Sequence, residues 1–249
     1  MTRRRWIADE VSGNRAALTG SHAAHLARVL RARIGQEFDI ASGSNIRRGR
    51  ITSIDNDRVE FELGEHIPAV AVPNITLALS IFKFDRMEWA IEKCTELGVE
   101  QIIPVIAART EAHLIVAAVK RTERWQRIAR QAAEQSRRSS PPQIFEPMRL
   151  KNAVSLPASK RIVLAESEQQ MMLKDVLQSD DASDDLILAI GPEGGWTEEE
   201  LELFRDQGWI SASLGTSILR AETAAIAAVA VVISELTCES AENALTRPK

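Results

Sequence analysis

The sequence DLILAIGPEGGW, at residues 185–196, decides the fold of this chain of 249 residues. Its apolar run predicts a buried strand. The turn GPEGG that follows holds three glycines and a proline, which is more than a plain strand–helix connection needs. Thr197 with Glu200 three residues later is the pattern of a capping box, which predicts that a helix begins directly after the turn. A second segment, LGTSILRAETA at residues 214–224, shows the same order of apolar run, glycine turn and helix start. We therefore expect two walls of one small-molecule pocket.

From residue 74 onward, predicted strands alternate with predicted helices. The strands are short runs rich in β-branched residues and leucine: ITLALSI (75–81), QIIPVIA (101–107), KRIVLAE (160–166), DLILAI (185–190) and ISASL (210–214). This alternation predicts an α/β fold with a mostly parallel sheet that helices cover on both faces. In open sheets of this kind ligands bind beyond the carboxyl ends of the strands, which is where both glycine turns lie.

Several helices have predicted ends. Asp85 is placed to cap RMEWAIEKCTEL, which Gly98 ends, and Thr122 is placed to cap a helix that continues to about Arg138. The last helix, from about residue 221 to 237, is apolar nearly all round. That composition predicts burial either in the core or in a subunit interface.

Residues 1–66 contain short strand patterns around a single helix. Ser21 is placed to cap that helix, over residues 22–31. The strand patterns are RRWIAD (4–9), RAALTG (15–20), QEFDIAS (36–42), IRRGRITSI (46–54) and RVEFEL (58–63). They predict a small barrel. Residues 66–73 contain two prolines and no clear period and predict a linker, so the expected domains are residues 1–66 and 74–240.

Charge and cysteine content narrow the class of protein. Residues 1–50 hold 10 Lys+Arg against 4 Asp+Glu, whereas residues 161–249 hold 6 against 17, within a net charge of −4. A basic end on an acidic protein suggests that a polyanion is bound at one end, although an ordinary solvated surface gives the same pattern. The two cysteines, Cys94 and Cys238, lie far apart, and neither a membrane-spanning run nor a signal peptide is recognisable. We therefore expect a cytoplasmic protein.

The residues around the GPEGG turn argue against a ligand that carries phosphate. The turn matches neither the phosphate-binding loop with its lysine nor the dinucleotide fingerprint. Glu193 lies within it, and Glu198, Glu199 and Glu200 follow it, so the local charge repels phosphate. A nucleoside-like ligand without a phosphate, or one that carries a positive charge, suits these residues better. S-adenosylmethionine has both properties, because it combines an adenosine with a sulfonium cation.

Arginines lie both beside the predicted pocket and away from it. Arg220 could simply pair with a carboxylate, but beside a ligand loop it is placed to hold a substrate phosphate or carboxylate. Two further arginine groups, in the N-terminal segment and in the predicted helix 122–138, favour an enzyme that modifies nucleic acid. His22 and His25 lack further ligands nearby in the sequence, so we predict no metal site.

Four segments in order along the chain resemble the RsmE family, the 16S rRNA uridine-N3 methyltransferases of the SPOUT superfamily. They are MEWAIEKCTELGV (87–99), IARQAAEQSRR (128–138), LAIGPEGGWTEEEL (188–201) and LGTSILRAETAAIAAV (214–229). HLARVLRARIGQEFDI (25–40) also resembles the RNA-binding domain of that family. Four motifs together are highly specific, whereas GPEGG alone would only be suggestive.

The resemblance implies a PUA-like β-barrel followed by an α/β domain whose C-terminal segment threads a trefoil knot. It further implies a homodimer, with helix 84–97 and the apolar last helix as candidate interfaces. The cofactor would be S-adenosylmethionine. The substrate would be one uridine of 16S rRNA, near the decoding site of the small ribosomal subunit, and the methyl group would go to N3.

The resemblance also implies which residues form the site. Three loops would hold the cofactor: Leu164, Ala165, Glu166, Ile190, Gly191, Pro192, Glu193, Gly194, Gly195, Leu214, Gly215, Ile218, Leu219, Arg220, Glu222, Thr223 and Ala224. The arginines expected to bind rRNA are Arg3, Arg4, Arg5, Arg28, Arg31 and Arg33. Arg220 is the candidate for stabilising the uridine anion or its flanking phosphate, and Glu134 and Glu166 are alternative proton acceptors. One departure is Ser217, because the family usually has an arginine there.

Two other functions fit the same sequence. One is a SPOUT-type methyltransferase with another rRNA or tRNA target, such as a ribose 2′-oxygen. The other is a non-catalytic RNA-binding assembly factor with a degenerate pocket, although the intact GPEGG and LRAET segments argue against it. The modified nucleoside distinguishes the first alternative, and binding of S-adenosylmethionine distinguishes the second.

Overall fold

A computed structural model describes residues 5–42, 45–55, 57–67, 74–136, 138–178 and 185–246, with side chains as far as Leu236. The predicted linker at residues 66–73 lies almost wholly outside this range. Contacts between Cα atoms divide the chain into two compact units. The N-terminal unit is Met1–Ala71 with Ala133–Pro141, and the C-terminal unit is Val72–Ala132 with Pro142–Lys249.

The N-terminal unit contains a six-stranded sheet in the order β1-β4-β5-β6-β3-β2, in which only the β1–β4 pair is parallel. Its strands are β1 (Arg5–Ile7), β2 (Glu10–Ser12), β3 (Arg15–Thr19), β4 (Glu37–Ser42), β5 (Asn45–Ile54) and β6 (Arg58–Ile67). Trp6, Leu18, Leu26 and Phe61 pack together in its core. The predicted strands are confirmed, and β2 is an addition, three exposed residues without an apolar period.

The helix of this unit begins earlier than predicted. Helix α1 (Gly20–Ala24) continues into a π-helical turn at His25–Val29. Thr19, the last residue of β3, occupies the N-cap position in an extended conformation without a side-chain capping bond. The prediction that Ser21 caps the helix was therefore wrong, because strand β3 leads directly into the first turn and Ser21 lies inside it.

The C-terminal unit contains a seven-stranded sheet in the order β10-β8-β7-β12-β11-β13, with β9 paired to β8. Every described pair in it is parallel. Its strands are β7 (Asn74–Ser80), β8 (Gln101–Ile106), β9 (Gln143–Ile144), β10 (Met148–Arg149), β11 (Lys160–Leu164), β12 (Asp185–Ile190) and β13 (Ile210–Ala212). The predicted parallel sheet is confirmed. Strands β9 and β10 were not predicted, because two residues are too few to show a period.

Helices α2 to α8 surround this sheet. They are α2 (Phe84–Leu97), α3 (Ala112–Ala118), α4 (Thr122–Gln135), α5 (Leu150–Ala153), α6 (Leu173–Gln178), α7 (Glu198–Asp206) and α8 (Ala221–Thr246). In α2, Met87, Ile91 and Cys94 are buried and Gly98 ends the helix with φ 117°, as predicted. Burial raises the pKa of the Cys94 thiol to about 12, so this cysteine stays protonated and is no nucleophile.

Two predicted helix caps were wrong. Helix α2 begins at Phe84, so Asp85 lies inside its first turn, where its charge favours the helix dipole instead of capping a backbone group. Helix α4 follows directly from a 3₁₀ turn at Val119–Arg121, which leaves no extended residue at Thr122 to act as a cap. Helix α4 also ends at Gln135, before the predicted Arg138.

Side chains alternate between the two faces of the sheet and build a core on each. From β12, Leu186, Leu188 and Ile190 join the cluster that contains α2 and α8, whereas Ile187 and Ala189 join the cluster that contains α7. This period of two confirms that helices cover both faces. In the described part of the chain, no helix combines the length and apolarity needed to cross a bilayer.

Candidate functional site

A cavity of about 760 Å³ lies at the carboxyl ends of β11, β12 and β13. Each of these strands is followed by a segment that lines the cavity, and we call these segments wall 1 (residues 164–167), wall 2 (residues 190–196) and wall 3 (residues 212–221). The position agrees with the rule that open parallel sheets bind ligands beyond the carboxyl ends of their strands. The volume lies within the range of small-molecule sites.

The structure brings the predicted cofactor residues together, except for Glu222 and Thr223. Those two belong to the first turn of α8 but do not line the cavity. The lining residues that were predicted are Leu164, Ala165, Glu166, Ile190, Gly191, Pro192, Glu193, Gly194, Gly195, Leu214, Gly215, Ile218, Leu219, Arg220 and Ala224. Trp196, Ser217 and Ala221 also line the cavity and lie within the two segments predicted as its walls, although the predicted cofactor residues did not include them. The lining residues outside every prediction are Arg86, Arg109, Ser167, Glu198, Leu201, Ala212 and Ser213.

Trp196 joins wall 2 to wall 1. Its indole N–H donates a 2.9 Å hydrogen bond to the carbonyl oxygen of Leu164, and its ring packs edge-on against Phe204, with centroids 4.9 Å apart. A Cβ on Gly191 would lie 3.2 Å from the indole nitrogen, so a side chain there would push against the ring. The absence of a side chain at Gly191 therefore allows the tryptophan to hold the two walls together.

Arg109, which follows β8, also holds wall 2. Its guanidinium donates to the carbonyl oxygens of Gly194 and Trp196. A Cβ on Gly194 would lie 3.1 Å from Cδ of Arg109, so any other residue there would force the arginine side chain to move. Sequence reasoning missed Arg109. The available signal was its place just beyond the carboxyl end of a strand, the same edge as the glycine turns.

The predicted capping box at the start of α7 is confirmed. The backbone N–H of Thr197 donates to Glu200 Oε2 at 2.9 Å, and that of Glu200 donates to Thr197 Oγ1 at 3.3 Å. Glu200 has a second role, because its Oε1 accepts a 2.7 Å hydrogen bond from the backbone N–H of Ala108. One buried carboxylate thus fixes both the beginning of α7 and the loop that carries Arg109.

Wall 3 is held by short-range bonds of its own backbone and side chains. The hydroxyl of Ser213 is 3.1 Å from the backbone nitrogen of Gly215 and 3.2 Å from its carbonyl oxygen. Gly215 has φ 118°, a value that L residues rarely adopt. Ser217, the position at which the resemblance led us to expect an arginine, lines the cavity.

Arg86 contacts carboxylates from two different elements. Its Nη1 donates to Glu193 Oε1 at 2.7 Å, and its Nε lies 3.8 Å from Glu222 Oε1. The Glu222 side chain is only 4% exposed, and its Oε2 has no hydrogen-bond partner among the described residues. Arg86 therefore lies at the seam between wall 2 and the beginning of α8.

Arg220 is the arginine of the lining whose guanidinium forms no hydrogen bond or ion pair within the described residues. It is exposed at the beginning of α8. Glu166, in wall 1, is likewise unpaired within the described part, and its Oε2 lies 3.9 Å from where a Cβ on Gly195 would be. The cavity thus offers a free guanidinium and a free carboxylate to a substrate.

Glu134 lies in the N-terminal unit and is not among the residues that line the cavity. Its Oε1 is 3.3 Å from Nε2 of His22, and the other ring nitrogen of His22 lies 3.2 Å from Asp9 Oδ2. Glu134 thus forms its printed contact within the N-terminal unit, whereas Glu166 lines the cavity of the C-terminal unit. In the described ranges no cluster of His, Cys, Asp or Glu could hold a metal ion.

The arginines predicted to bind RNA are partly described. Arg28, Arg31 and Arg33 are exposed, at the end of the N-terminal helix and just beyond it, and Arg5 is half-buried in β1. Arg3 and Arg4 lie outside the described residues, as does Arg137 of the second arginine group. In α4, Arg124 donates two hydrogen bonds to Glu88, at 2.6 and 2.8 Å, which holds the pKa of that carboxyl below its usual value.

Two family models match the chain. One is described as an RNA methyltransferase domain and matches residues 70–233, and the other is described as an RNA methyltransferase PUA domain and matches residues 18–64. The first covers the parallel sheet and all three walls. The second covers most of the N-terminal sheet.

Named relatives and solved structures agree with these models. The chain is 32% identical to ribosomal RNA small subunit methyltransferase E of Synechocystis, over 86% of this chain and 71% of that protein. It is 30% identical to the Aquifex aeolicus protein of the same name, over 92% and 98%. A Neisseria gonorrhoeae structure of that name, bound to S-adenosyl methionine, superposes with a TM-score of 0.81 at 29% identity, covering 94% of this chain and 98% of that one.

Proposed function

The chain belongs to the RsmE family of RNA methyltransferases, and from this membership we propose that it transfers the methyl group of S-adenosylmethionine to N3 of one uridine in 16S rRNA. The observation that carries the proposal is the cavity at the carboxyl ends of β11, β12 and β13, with Arg220 and Glu166 free at its surface. A guanidinium and a carboxylate at the surface of the cavity suit a nucleobase that must lose a proton before it accepts a methyl group.

The residues of the cavity fit S-adenosylmethionine, which supplies a methyl group on a sulfonium cation. Three glycines of wall 2, Gly191, Gly194 and Gly195, let the backbone approach an adenosine closely. Glu166, Glu193 and Glu198 line the same space and favour a cation over a phosphate. Trp196 and Arg109 keep wall 2 in one conformation, which is the preorganisation that an in-line methyl transfer needs.

Methylation at N3 requires that the uridine anion be formed or favoured, because N3 carries a proton at neutral pH. In the mechanism that we propose, Glu166 accepts this proton and Arg220 donates hydrogen bonds to the oxygens on which the negative charge develops. The three walls would hold the methyl donor, which would supply the methyl group to N3 of a uridine that has left its base stack. With Ser217 in place of the usual arginine, Arg220 provides this positive charge alone within wall 3.

The N-terminal unit provides the second part of the proposal. Its exposed arginines would bind phosphates of the rRNA and set the register in which the uridine reaches the cavity. Arg28, Arg31 and Arg33 lie close together along one segment, which would follow a phosphate backbone better than a single point charge. The base-specific selection would come from the cavity itself.

We further propose that the protein is a homodimer of the cytoplasm. Trp89 on α2 is half-exposed, and Ile226, Val231 and Ile233 on α8 are only partly buried, so both helices offer some apolar surface to a second copy. The cytoplasm is the compartment in which small ribosomal subunits are assembled. The trefoil knot in the C-terminal unit stays a prediction of the resemblance.

The decisive experiment is methylation of small ribosomal subunits from a strain that lacks this activity. The purified protein is incubated with these subunits and labelled S-adenosylmethionine, and the digested rRNA is analysed by mass spectrometry. We expect labelled N3-methyluridine at a single position. A ribose-methylated nucleoside, or label in tRNA instead, would support another target. Binding of subunits without any methyl incorporation would support a non-catalytic assembly factor.

A further inference from the structure

Arg86 is the side chain that connects wall 2 to the helix that follows wall 3. It lies in the first turn of α2, on neither wall, and lines the cavity itself. Glu193 belongs to the GPEGG turn, and Glu222 is the second residue of α8. One guanidinium thus meets two carboxylates, one from the turn after β12 and one from the helix after β13, at 2.7 Å and 3.8 Å.

The other bonds that hold the walls do not make this connection. Trp196 joins wall 2 to wall 1, Arg109 joins wall 2 to the loop after β8, and Ser213 bonds within wall 3. Among the side-chain bonds of the described residues, the contact of Arg86 with Glu193 and Glu222 is the one that spans from wall 2 to the start of α8. The binding of a cofactor between walls 2 and 3 depends on the distance between wall 2 and the start of α8.

The burial of Glu222 distinguishes this contact from an ordinary surface ion pair. Exposed pairs contribute little, because water and salt screen them. Glu222 is 4% exposed, and its Oε2 is buried without a hydrogen-bond partner in the described part of the chain, so its charge needs a nearby cation. Arg86 supplies that cation with Nε while Nη1 is engaged with Glu193. The guanidinium meets the two carboxylates with two separate nitrogens held at a fixed spacing, whereas a lysine would have to bring one ammonium close to both.

We propose that Arg86 is a positioning residue, which sets the distance between the GPEGG turn and the start of α8 and thereby the affinity for the methyl donor. This inference rests on the function proposed above and deepens it. Arg86 acts through Glu193 and Glu222 and transfers no proton. Glu193 and Glu222 share the single guanidinium of Arg86, so this contact has an excess of negative charge. That charge favours a ligand with a sulfonium cation over a neutral one.

The test compares binding in solution with stability. Isothermal titration measures the Kd for S-adenosylmethionine of the unchanged chain, Arg86→Gln and Arg86→Lys, and the same variants are assayed for KM towards rRNA and for thermal unfolding without ligand. We expect Arg86→Gln to raise the Kd by about tenfold, because a displaced wall no longer fits the ligand along its whole length. The logarithm of the Kd of Arg86→Lys should lie closer to that of Arg86→Gln than to that of the unchanged chain. The KM for rRNA should change less than about twofold.

A double-mutant cycle shows whether Arg86 acts through its two partners. In a Glu193→Gln/Glu222→Gln background, Arg86→Gln should raise the Kd by less than about threefold, because the ion pairs that it would break are already absent. The matched control is Arg124→Gln, which breaks a shorter ion pair with Glu88 away from the cavity and should leave the Kd within about twofold.

Three results would overturn the inference. The first is an unchanged Kd in Arg86→Gln, the second is full recovery by Arg86→Lys, and the third is an undiminished effect of Arg86→Gln in the double-variant background. If Arg86→Gln does not fold, Arg86→Lys is compared with the unchanged chain instead. An equal Kd for these two proteins would refute the positioning role of Arg86. No binding of S-adenosylmethionine by the unchanged chain would refute the proposed function as well, so the two failures are distinguishable.

Discussion

At the scale of single residues, the cavity separates charges that hold the structure from charges that are left for a substrate. Arg86 and Arg109 are engaged with carboxylates and carbonyl oxygens of the walls. Arg220 and Glu166 make no such contact within the described residues, although both line the same cavity. Charged side chains without partners at a cavity surface gain most from a ligand, which is why the proposed chemistry is placed on these two.

The role of Arg220 can be tested by its removal. We expect Arg220→Ala to lower kcat by roughly 10²–10³, the usual effect of losing one donor to a developing anion, with the Kd for S-adenosylmethionine within about threefold. Arg220→Lys should restore part of the rate. Steady-state methylation of small subunits measures kcat, and unchanged turnover with unchanged RNA affinity would remove Arg220 from the mechanism. Arg205→Gln, an exposed arginine of α7, is the control.

Gly195 allows a second prediction at this scale. It has φ 71°, so Gly195→Ala should destabilise the fold by about 1 kcal/mol through backbone strain, and it should also weaken binding of S-adenosylmethionine because wall 2 must shift. Gly13→Ala is the matched control, with φ 58° and nothing within 4 Å of the added Cβ. Chemical denaturation should show similar decreases in stability for both, whereas titration should show weaker binding for Gly195→Ala alone. Equal affinities would contradict a rigid wall 2.

At the scale of elements, the beginning of α7 connects helix formation to the geometry of the site. The capping box supplies hydrogen-bond partners to backbone groups that every helix start leaves unsatisfied. Glu200 goes further, because its other oxygen accepts from the backbone of Ala108, next to Arg109. The capping box is a local sequence signal, but through Glu200 it also helps to position Arg109, the side chain that holds wall 2.

This double role predicts an order of stability among variants of α7. Thr197→Ala should lower the free energy of unfolding by about 1 kcal/mol, the usual effect of losing a cap. Glu200→Ala should lower it by about 2 kcal/mol, because it leaves the N–H groups of both Thr197 and Ala108 without partners. Glu202→Ala, an exposed position on the same helix, should stay within about 0.5 kcal/mol. Urea denaturation measures all three, and equal effects of Thr197→Ala and Glu200→Ala would show that the bond to Ala108 contributes nothing.

At the scale of the whole molecule, the proposed function assigns chemistry and RNA binding to two different units. The C-terminal unit holds the cavity, and the N-terminal unit holds exposed arginines on a chain whose net charge is −4. A protein with net negative charge can approach rRNA productively only if its positive charge is concentrated in one region. The separation predicts that affinity for RNA and affinity for the methyl donor can be changed independently.

The salt dependence of RNA binding tests this separation. We expect the double variant Arg31→Gln/Arg33→Gln to bind an rRNA fragment more weakly, and the slope of log K against log salt concentration to fall by roughly 0.7–0.9 for each phosphate that the variant no longer neutralises. Its Kd for S-adenosylmethionine should equal that of the unchanged chain. Fluorescence anisotropy over a range of salt concentrations measures the slope. An unchanged slope would show that these two arginines do not bind phosphates.

The sequence by itself determined the elements and the loops that matter. The strands β7, β8, β11, β12 and β13 were predictable because apolar period is a local property, and the glycine turns and the capping box were predictable because each needs particular residues at a fixed short spacing. The carboxyl-end rule then placed walls 2 and 3 on one edge of the sheet from sequence alone. Helix beginnings at Ser21, Asp85 and Thr122 were wrong, because preceding turns and strands that no local pattern reveals decide where a helix can begin.

Only the tertiary structure decided which side chains meet. Arg86 contacts Glu193 across 107 residues, and Arg109 contacts Gly194 across 85, so neither pair has a signature in local sequence. The sequence also left Glu134 and Glu166 as alternative proton acceptors, and the assignment of this role to Glu166, which lines the cavity, stays a proposal. Parallel strands are joined by long crossovers, and these bring distant residues to one edge of the sheet. The partners at that edge therefore depend on strand order and helix packing, which local spacing does not encode.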